Sequence, residues 1–303
     1  VSESEWETYR QTRLQAIEQA LEQWLPVQGE RPRHLAEAMR YATLNGGKRL
    51  RPLLCIAAAE AVGGTMQQVL PTACALELIH AFSLVHDDLP ALDNDTLRRG
   101  KPTCHVQFGE AMAILAGDAL FAHAFLLIAQ QAEQSPPERV VRVLHLVAEA
   151  TGVEGMVGGQ VEDILSEGKP ISPDTLTYIH SHKTGALFRA SVLSGAILVG
   201  ASPQAEQALD AYSRALGLAF QIVDDILNEA GDPTRLGKPV GTDQARQKAT
   251  YPRLYGLEAA YARAQQELQN ALNALQPFGA EADPLRWLAH SIFDPLHQDS
   301  SYG

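Results

Sequence analysis

An all-α fold is predicted for this 303-residue chain by two observations. Apolar residues recur at helical spacing almost throughout, and alternating strand-like stretches are hard to find. With 46% hydrophobic and 20% charged residues, there is apolar material for a sizeable core. Leu14, Ile17, Leu21, Trp24 and Leu25 mark the first amphipathic helix, and Val140, Val141, Leu144, Leu146 and Val147 mark a later one. Proline and glycine punctuation at 26–32, 63–64, 90–102, 135–137, 168–173, 203, 231–241 and 277–284 divides the chain. The pieces between are helices of roughly 12 to 25 residues. No break is long or low in complexity, so residues 1–303 read as a single domain. The segments 111–129, 187–199 and 215–227 are apolar on nearly every face, which predicts central helices shielded by amphipathic ones.

The formal net charge of −12 argues against nucleic acid and anionic lipid surfaces as partners. The most membrane-like window, 111–129, carries Asp118 and His123 near its centre, so it reads as a buried core helix and no stable membrane association is expected. Cys55, Cys74 and Cys104 form no CxxC pair and fit buried thiols in a reducing cytoplasm. The N-terminal VSESEWETYRQTRL lacks the basic-then-apolar layout of a signal peptide, so a cytoplasmic location is expected.

Acidic clusters end two otherwise apolar helices. The first, ELIHAFSLVHDDLPALDND, puts Asp87 and Asp88 on the last turn before Pro90 stops the helix, with Asp93 in the loop beyond. In the second, LAFQIVDDILNEAGD, Gln221, Asp224, Asp225 and Asn228 fall at i, i+3, i+4 and i+7, one stripe of an apolar helix. Buried carboxylates without a counter-charge cost several kcal/mol each, so something cationic must meet them. Hard oxygen ligands in such groups suit Mg²⁺, which shares its other positions with waters and substrate phosphates. An isolated Asp-Asp is usually an exposed helix end; two clusters on apolar helices point to a metal instead. Basic residues accompany them: Lys48, Arg49 and Arg51 in GGKRLRP after the flexible pair Gly46-Gly47, Arg98 and Arg99, Lys183-Thr184, Lys238 and Lys248. A lone basic run is usually a solvated face; such runs flanking two acidic clusters favour a diphosphate site instead.

GGKRLRP, HDDLPALDND with LRRGKPT, GGQVED, HKTG, and FQIVDDIL with LGKPVGTD and KATYP resemble the trans-prenyltransferases, most closely bacterial short-chain synthases of the farnesyl diphosphate type. The resemblance runs from about Ala36 to Tyr255. It implies an isoprenoid-synthase helical bundle around a deep central cavity, a homodimer, and ionisation, condensation and elimination as the mechanism. It also implies that Asp87, Asp88, Asp93 and Asp224 bind Mg²⁺, three ions with substrate present, supported by Asp225 and Asn228. Arg98, Lys183, Thr184, Gln221, Lys238 and Lys248 would hold an allylic diphosphate. Gly47, Lys48, Arg51, His80 and Arg99 would hold isopentenyl diphosphate, and released pyrophosphate would take the proton. Asp87, Asp88, Lys183, Gln221 and Asp224 carry the catalytic roles in this reading.

Gln160 and Asp163 read equally as supports of the site or as a core polar pair, and His86 as a structural hydrogen-bonder. Phe82, five residues before Asp87 with Ser83 beside it, resembles the family's floor for a C15 product, and is also an ordinary core aromatic. Geranyl or geranylgeranyl diphosphate synthesis is the alternative. Asn228 stands where the family has Asp, which predicts weaker Mg²⁺ binding. Asp224, Asn228 and Asp232 at i, i+4 and i+8 faintly resemble a terpene cyclase motif, but Lys48, Arg51 and His80 would serve no purpose in a cyclase. A non-catalytic synthase subunit would be expected to have lost carboxylates or basic anchors, and both are present. The C-terminal HSIFDPLHQDSSYG lacks the family's basic ending, which bears on closure over isopentenyl diphosphate.

Overall fold

The computed structural model describes residues 3–27, 29, 31–230, 248 and 250–299. Helices α1 (Glu3–Trp24), α2 (Arg33–Thr43), α3 (Leu50–Ala61) and α4 (Leu70–Asp87) lead into a two-residue hairpin, β1 (Leu97–Arg98) with β2 (Lys101–Pro102). Then come α5 (Cys104–Phe108), α6 (Glu110–Gln130), α7 (Pro137–Thr151), α8 (Met156–Ser166) and α9 (Pro173–Ile179). A π-helical stretch, His180–Gly185, joins α9 to α10 (Ala186–Val199), which is followed by α11 (Pro203–Ala230). Further along the described residues come α12 (Tyr251–Tyr255), α13 (Leu257–Ala274), α14 (Asp283–Ser291) and α15 (Asp294–Asp299).

Within the described residues the expected punctuation is seen, and its physical cause is visible; the break at 231–241 lies outside them. Proline occupies the first or second position of α4, α7, α9, α12 and α14. There its missing N–H costs nothing, because those first amides have no partner within the helix. The hairpin was not expected. It turns through Arg99 and Gly100, both at positive φ (53° and 74°), the backbone that a two-residue hairpin turn of matching twist requires.

Helices α3, α4, α10 and α11 form the centre; Leu54, Ile56, Leu76, Ile79, Phe188, Val192, Leu216 and Ile222 are fully buried. The central placement of 187–199 and 215–227 is therefore as expected. Segment 111–129 is a correction. Helix α6 packs one side on α4 through Ala113, Ala116, Leu120, Ala124 and Leu127, but leaves Ile114, Leu115 and Leu126 about half exposed. It is long and apolar enough to cross a membrane by length and composition, and only 39% of that window is buried within the chain. A helix apolar all round calls for cover on all sides; among the described residues α2, α4, α5 and α7 pack against it and still leave that face open.

Candidate active site

The first acidic cluster is assembled by the way α4 ends. Past Asp87 the last carbonyls of α4 have no helical partner, and the loop turns back to supply one. The Asp93 amide donates to the Asp87 carbonyl (2.7 Å) and the Asp95 amide to that of Asp88 (3.2 Å). Asn94, at φ 53°, adopts the left-handed conformation its side chain tolerates. Three carboxylates are thereby gathered at the negative end of the α4 dipole. Burial pushes the Asp87 carboxyl up to about 6, with Asp93 adding to the effect while Lys183, Arg98 and Lys248 oppose it. Asp88, fully buried, is also raised by burial, against a two-pronged bond from Arg98 (2.8 and 2.7 Å).

Two lysines bridge this cluster to the rest of the site. Lys183 Nζ lies 2.7 Å from Asp163 Oδ2 on α8. Lys248 Nζ lies 3.2 Å from Asp93 and 3.8 Å from that same Asp163 oxygen. Burial would lower the Lys183 ammonium, but Asp163 and Asp87 outweigh it and its pKa is raised, so it stays charged. Asp163, left open between site and core by the sequence, thus meets both lysines. On α11, Gln221 accepts a hydrogen bond from Thr184 (2.7 Å) and donates one to Asp225 (2.9 Å). The other Asp225 oxygen accepts from the Tyr251 amide (2.9 Å) and lies 3.2 Å from His180 Nε2. Adjacent residues of the π stretch, Lys183 and Thr184, therefore tie the two acidic motifs together. Asn228 is buried and Asp224 half-buried on the same helix. Lys238 and Asp232 lie outside the described residues.

The glycines of GGQVED have a steric role. A Cβ on Gly159 would stand 2.3 Å from the Lys183 backbone nitrogen and 2.7 Å from its Cα, so α8 can reach the π stretch only without a side chain there. Gly159→Ala is expected to cost about 1–3 kcal/mol of stability by pushing the Lys183 backbone off α8. A lowered denaturant midpoint would show it, and an unchanged one would remove the steric role.

A second basic cluster surrounds the start of α3. His80, one face of α4 above Asp87, is held neutral: burial lowers its pKa well below the usual value, and Arg51, Arg99 and Arg98 lower it further. Arg51 lies over the Phe188 ring (5.3 Å), and burial brings it down to about 10, still protonated at neutral pH. Lys48 is exposed. Gly47, at φ 127°, lies against the Arg99 guanidinium, where a Cβ would come within 2.7 Å, and Arg99 donates to the Gly46 carbonyl. Arg49 differs from its neighbours. It is buried, at φ 49°, and its guanidinium bonds Glu18 (2.6 Å), Glu77 (2.7 Å) and the Thr43 carbonyl (2.8 Å). It braces α1, α2 and α4 rather than facing a ligand. His86 Nε2 donates to the Ile114 carbonyl (3.0 Å), a structural contact as expected.

Comparison with known proteins decides the family. Residues 32–283 match the family described as Polyprenyl synthetase. The chain belongs to that family. It is 47% identical over 273 residues to a farnesyl diphosphate synthase of Geobacillus stearothermophilus, covering 88% of this chain and 92% of that protein. It is 46% identical over 286 residues to a geranylgeranyl diphosphate synthase of Cyanophora paradoxa, covering 94% and 95%. Its fold matches the crystal structure of a FPP/GFPP synthase from Zymomonas mobilis with a TM-score of 0.85 at 39% identity, over 95% of this chain and 99% of that one. The geranylgeranyl pyrophosphate synthetase of Pyrococcus horikoshii matches at 0.86 and 33% identity, over 96% and 98%. The chain is thus an all-α polyprenyl synthase of the isoprenoid-synthase fold, and its reaction is prenyl chain elongation.

The donor set of this polyprenyl synthase fits Mg²⁺. Asp87, pushed up by burial in spite of the nearby cations, offers hard carboxylate oxygens that a divalent cation would suit. Among the described residues no three His, Cys, Asp or Glu side chains form a closed cage. Mg²⁺ does not need one, since it keeps waters and completes its shell with substrate phosphates.

Proposed function

We propose that this polyprenyl synthase condenses isopentenyl diphosphate with dimethylallyl or geranyl diphosphate, head to tail, to give farnesyl diphosphate and pyrophosphate. The observation that carries the reading is the joining of the two acidic motifs through Lys183, Thr184, Asp163 and Lys248 beside a second, separate basic cluster. Two diphosphates need two anion sites, and only one needs a metal. Asp87, Asp88, Asp93 and Asp224 would hold Mg²⁺, with Asp225 and Asn228 in support. Bound metal would neutralise charge on the leaving diphosphate.

Arg98, Lys183, Thr184, Gln221, Lys238 and Lys248 take the allylic diphosphate, and Gly47, Lys48, Arg51, His80 and Arg99 that of isopentenyl diphosphate. The allylic C–O bond breaks, the isopentenyl double bond supplies the electron pair of the new C–C bond, and the pyrophosphate released takes the C2 proton. Neutral His80 and the cations about it need no proton exchange in this scheme. The apolar lining of α4 keeps water from the allylic cation.

For chain length, Phe82 stands one helical turn above the carboxylates and packs on His86 (5.2 Å) and on Phe121 of α6 (4.9 Å), with Phe125 behind (5.1 Å). The Ser83 hydroxyl turns back to the His80 carbonyl (2.7 Å) and adds no bulk. This supports an aromatic floor at C15. The geranylgeranyl diphosphate synthases among the relatives favour C20 as the second reading. Chromatography of the product from geranyl diphosphate decides between them: farnesyl diphosphate is expected, and geranylgeranyl diphosphate as the main product would exclude the C15 reading. Phe82→Ala is expected to shift the product to C20 or longer, and an unchanged product would remove Phe82 as the floor.

The exposed apolar side of α6 supports a homodimer in which a second copy covers Ile114, Leu115 and Leu126. The contiguous apolar core supports one domain over residues 1–303. Burial pushes the thiols of Cys55, Cys74 and Cys104 upward, which suits unreactive cysteines in a reducing cytoplasm.

A further inference from the structure

The geometry points to His180 as a positioning residue for the allylic diphosphate site, acting through Asp225 to fasten the π stretch and the segment at 248–251 onto α11. This rests on the diphosphate reading above. The Asp225 carboxylate is buried and meets three partners from three parts of the chain: Gln221 on its own helix (2.9 Å), the Tyr251 amide (2.9 Å) and His180 Nε2 (3.2 Å). The His180 ring is itself buried and lies nearly parallel to that of Tyr251 (17°, centroids 6.2 Å apart). It therefore holds Tyr251 twice, through the shared carboxylate and through the ring.

What depends on this fastening is the set of groups proposed to hold the diphosphate. Thr184, four residues after His180, reaches Gln221, which Asp225 orients. Lys183 beside it reaches Asp163. Lys248, two residues before Thr250, reaches Asp93 and Asp163, so the seat of Tyr251 sets where that ammonium falls. The segment that carries all of this is π-helical, a form that is rare and concentrated at functional sites. Among the described residues nothing bonds His180 Nδ1, which is fully shielded. A buried polar atom left unmade is costly, and an apolar ring would pack here without that cost. The contact of Nε2 with Asp225 is what a histidine adds.

His180→Phe keeps a ring against Tyr251 and removes the donor, whereas His180→Gln returns an amide nitrogen near the place of Nε2. With geranyl diphosphate and isopentenyl diphosphate as substrates, His180→Phe is expected to raise the KM for geranyl diphosphate about tenfold, through loss of the close imidazole contact on the Asp225 carboxylate. The KM for isopentenyl diphosphate stays unchanged, and His180→Gln recovers most of the loss. Hydrogen–deuterium exchange of the resting protein is expected to speed up in the peptide spanning Thr250 to Tyr255 and not in α1. Unchanged exchange there and an unchanged KM in His180→Phe would overturn the inference, as would equal rises for both substrates with a loss of helical signal. If His180→Phe does not fold, His180→Asn, whose amide falls short of Asp225, gives the same readings. Should the unaltered protein elongate no chain, the diphosphate reading fails, and the exchange measurement still decides the fastening.

Discussion

Asp87→Ala is expected to abolish product formation, by on the order of a thousandfold or more in kcat, while the helical circular dichroism signal stays as it was. The size follows from what Asp87 does in the proposed site: it faces charge that develops only as the diphosphate departs, where electrostatic stabilisation contributes most. The structure adds a second consequence, for stability. Burial raises this carboxyl from 3.8 to about 6. A group with a raised folded pKa contributes stability fully present below its unfolded value and lost as pH rises through its folded one. In the metal-free protein the loss spans about pH 4 to 6 and amounts to on the order of 3 kcal/mol. Asp87→Asn removes it. With chelator present, the variant is therefore expected to unfold at higher denaturant than the unaltered protein above pH 6, and at the same concentration near pH 4. Full activity in Asp87→Ala would defeat the metal assignment, and a pH-independent difference would defeat the desolvation argument.

Arg49→Met is expected to be the most destabilising single change in the basic motif, about 3–5 kcal/mol, because it leaves Glu77 buried without its counter-charge. The guanidinium also ties Glu18 of α1 and the end of α2 to the start of α3, so the loop carrying Gly47 and Lys48 loses its anchor. The double variant Arg49→Met, Glu77→Leu replaces the buried pair by apolar groups and is expected to regain much of the loss, since such replacements are often neutral. Urea midpoints of the three proteins check this. A loss below about 1 kcal/mol, the range of an exposed pair, would contradict the brace. Lys48→Met, at an exposed neighbour of like charge, supplies the contrast: stability unchanged, and the KM for isopentenyl diphosphate raised.

Much of this was legible in the sequence, and the rest fails for identifiable reasons. Helices 187–199 and 215–227 are apolar all round and central. Segment 111–129 has the same composition but lies half outside the core, because hydrophobicity reports that a face calls for cover and not what supplies it. The spacing of Asp87, Asp88 and Asp93 pointed to one helix end; the mechanism, Asp93 donating its amide to the Asp87 carbonyl, is a turn the helix end imposes. Arg49 and Lys48 look alike as basic residues. Their fates diverge on a positive φ and on acids 31 and 28 residues away, which no local pattern encodes. His180 was passed over because its partner is 45 residues on and nothing in HSHKTG announces a π turn. The available signal was the pair itself: Asp224 and Asp225 project to different sides of one helix, so the two carboxylates meet different surroundings.

Elongation of a prenyl diphosphate on two anion sites, one of them metal-dependent, is the activity expected of this chain. The most direct measurement incubates the purified protein with Mg²⁺, isopentenyl diphosphate and geranyl diphosphate and follows pyrophosphate and prenyl product together. The expected result is one pyrophosphate released for each isopentenyl unit added, with both lost in chelator and restored by Mg²⁺. Pyrophosphate released without chain growth, or no release at all, would contradict the account.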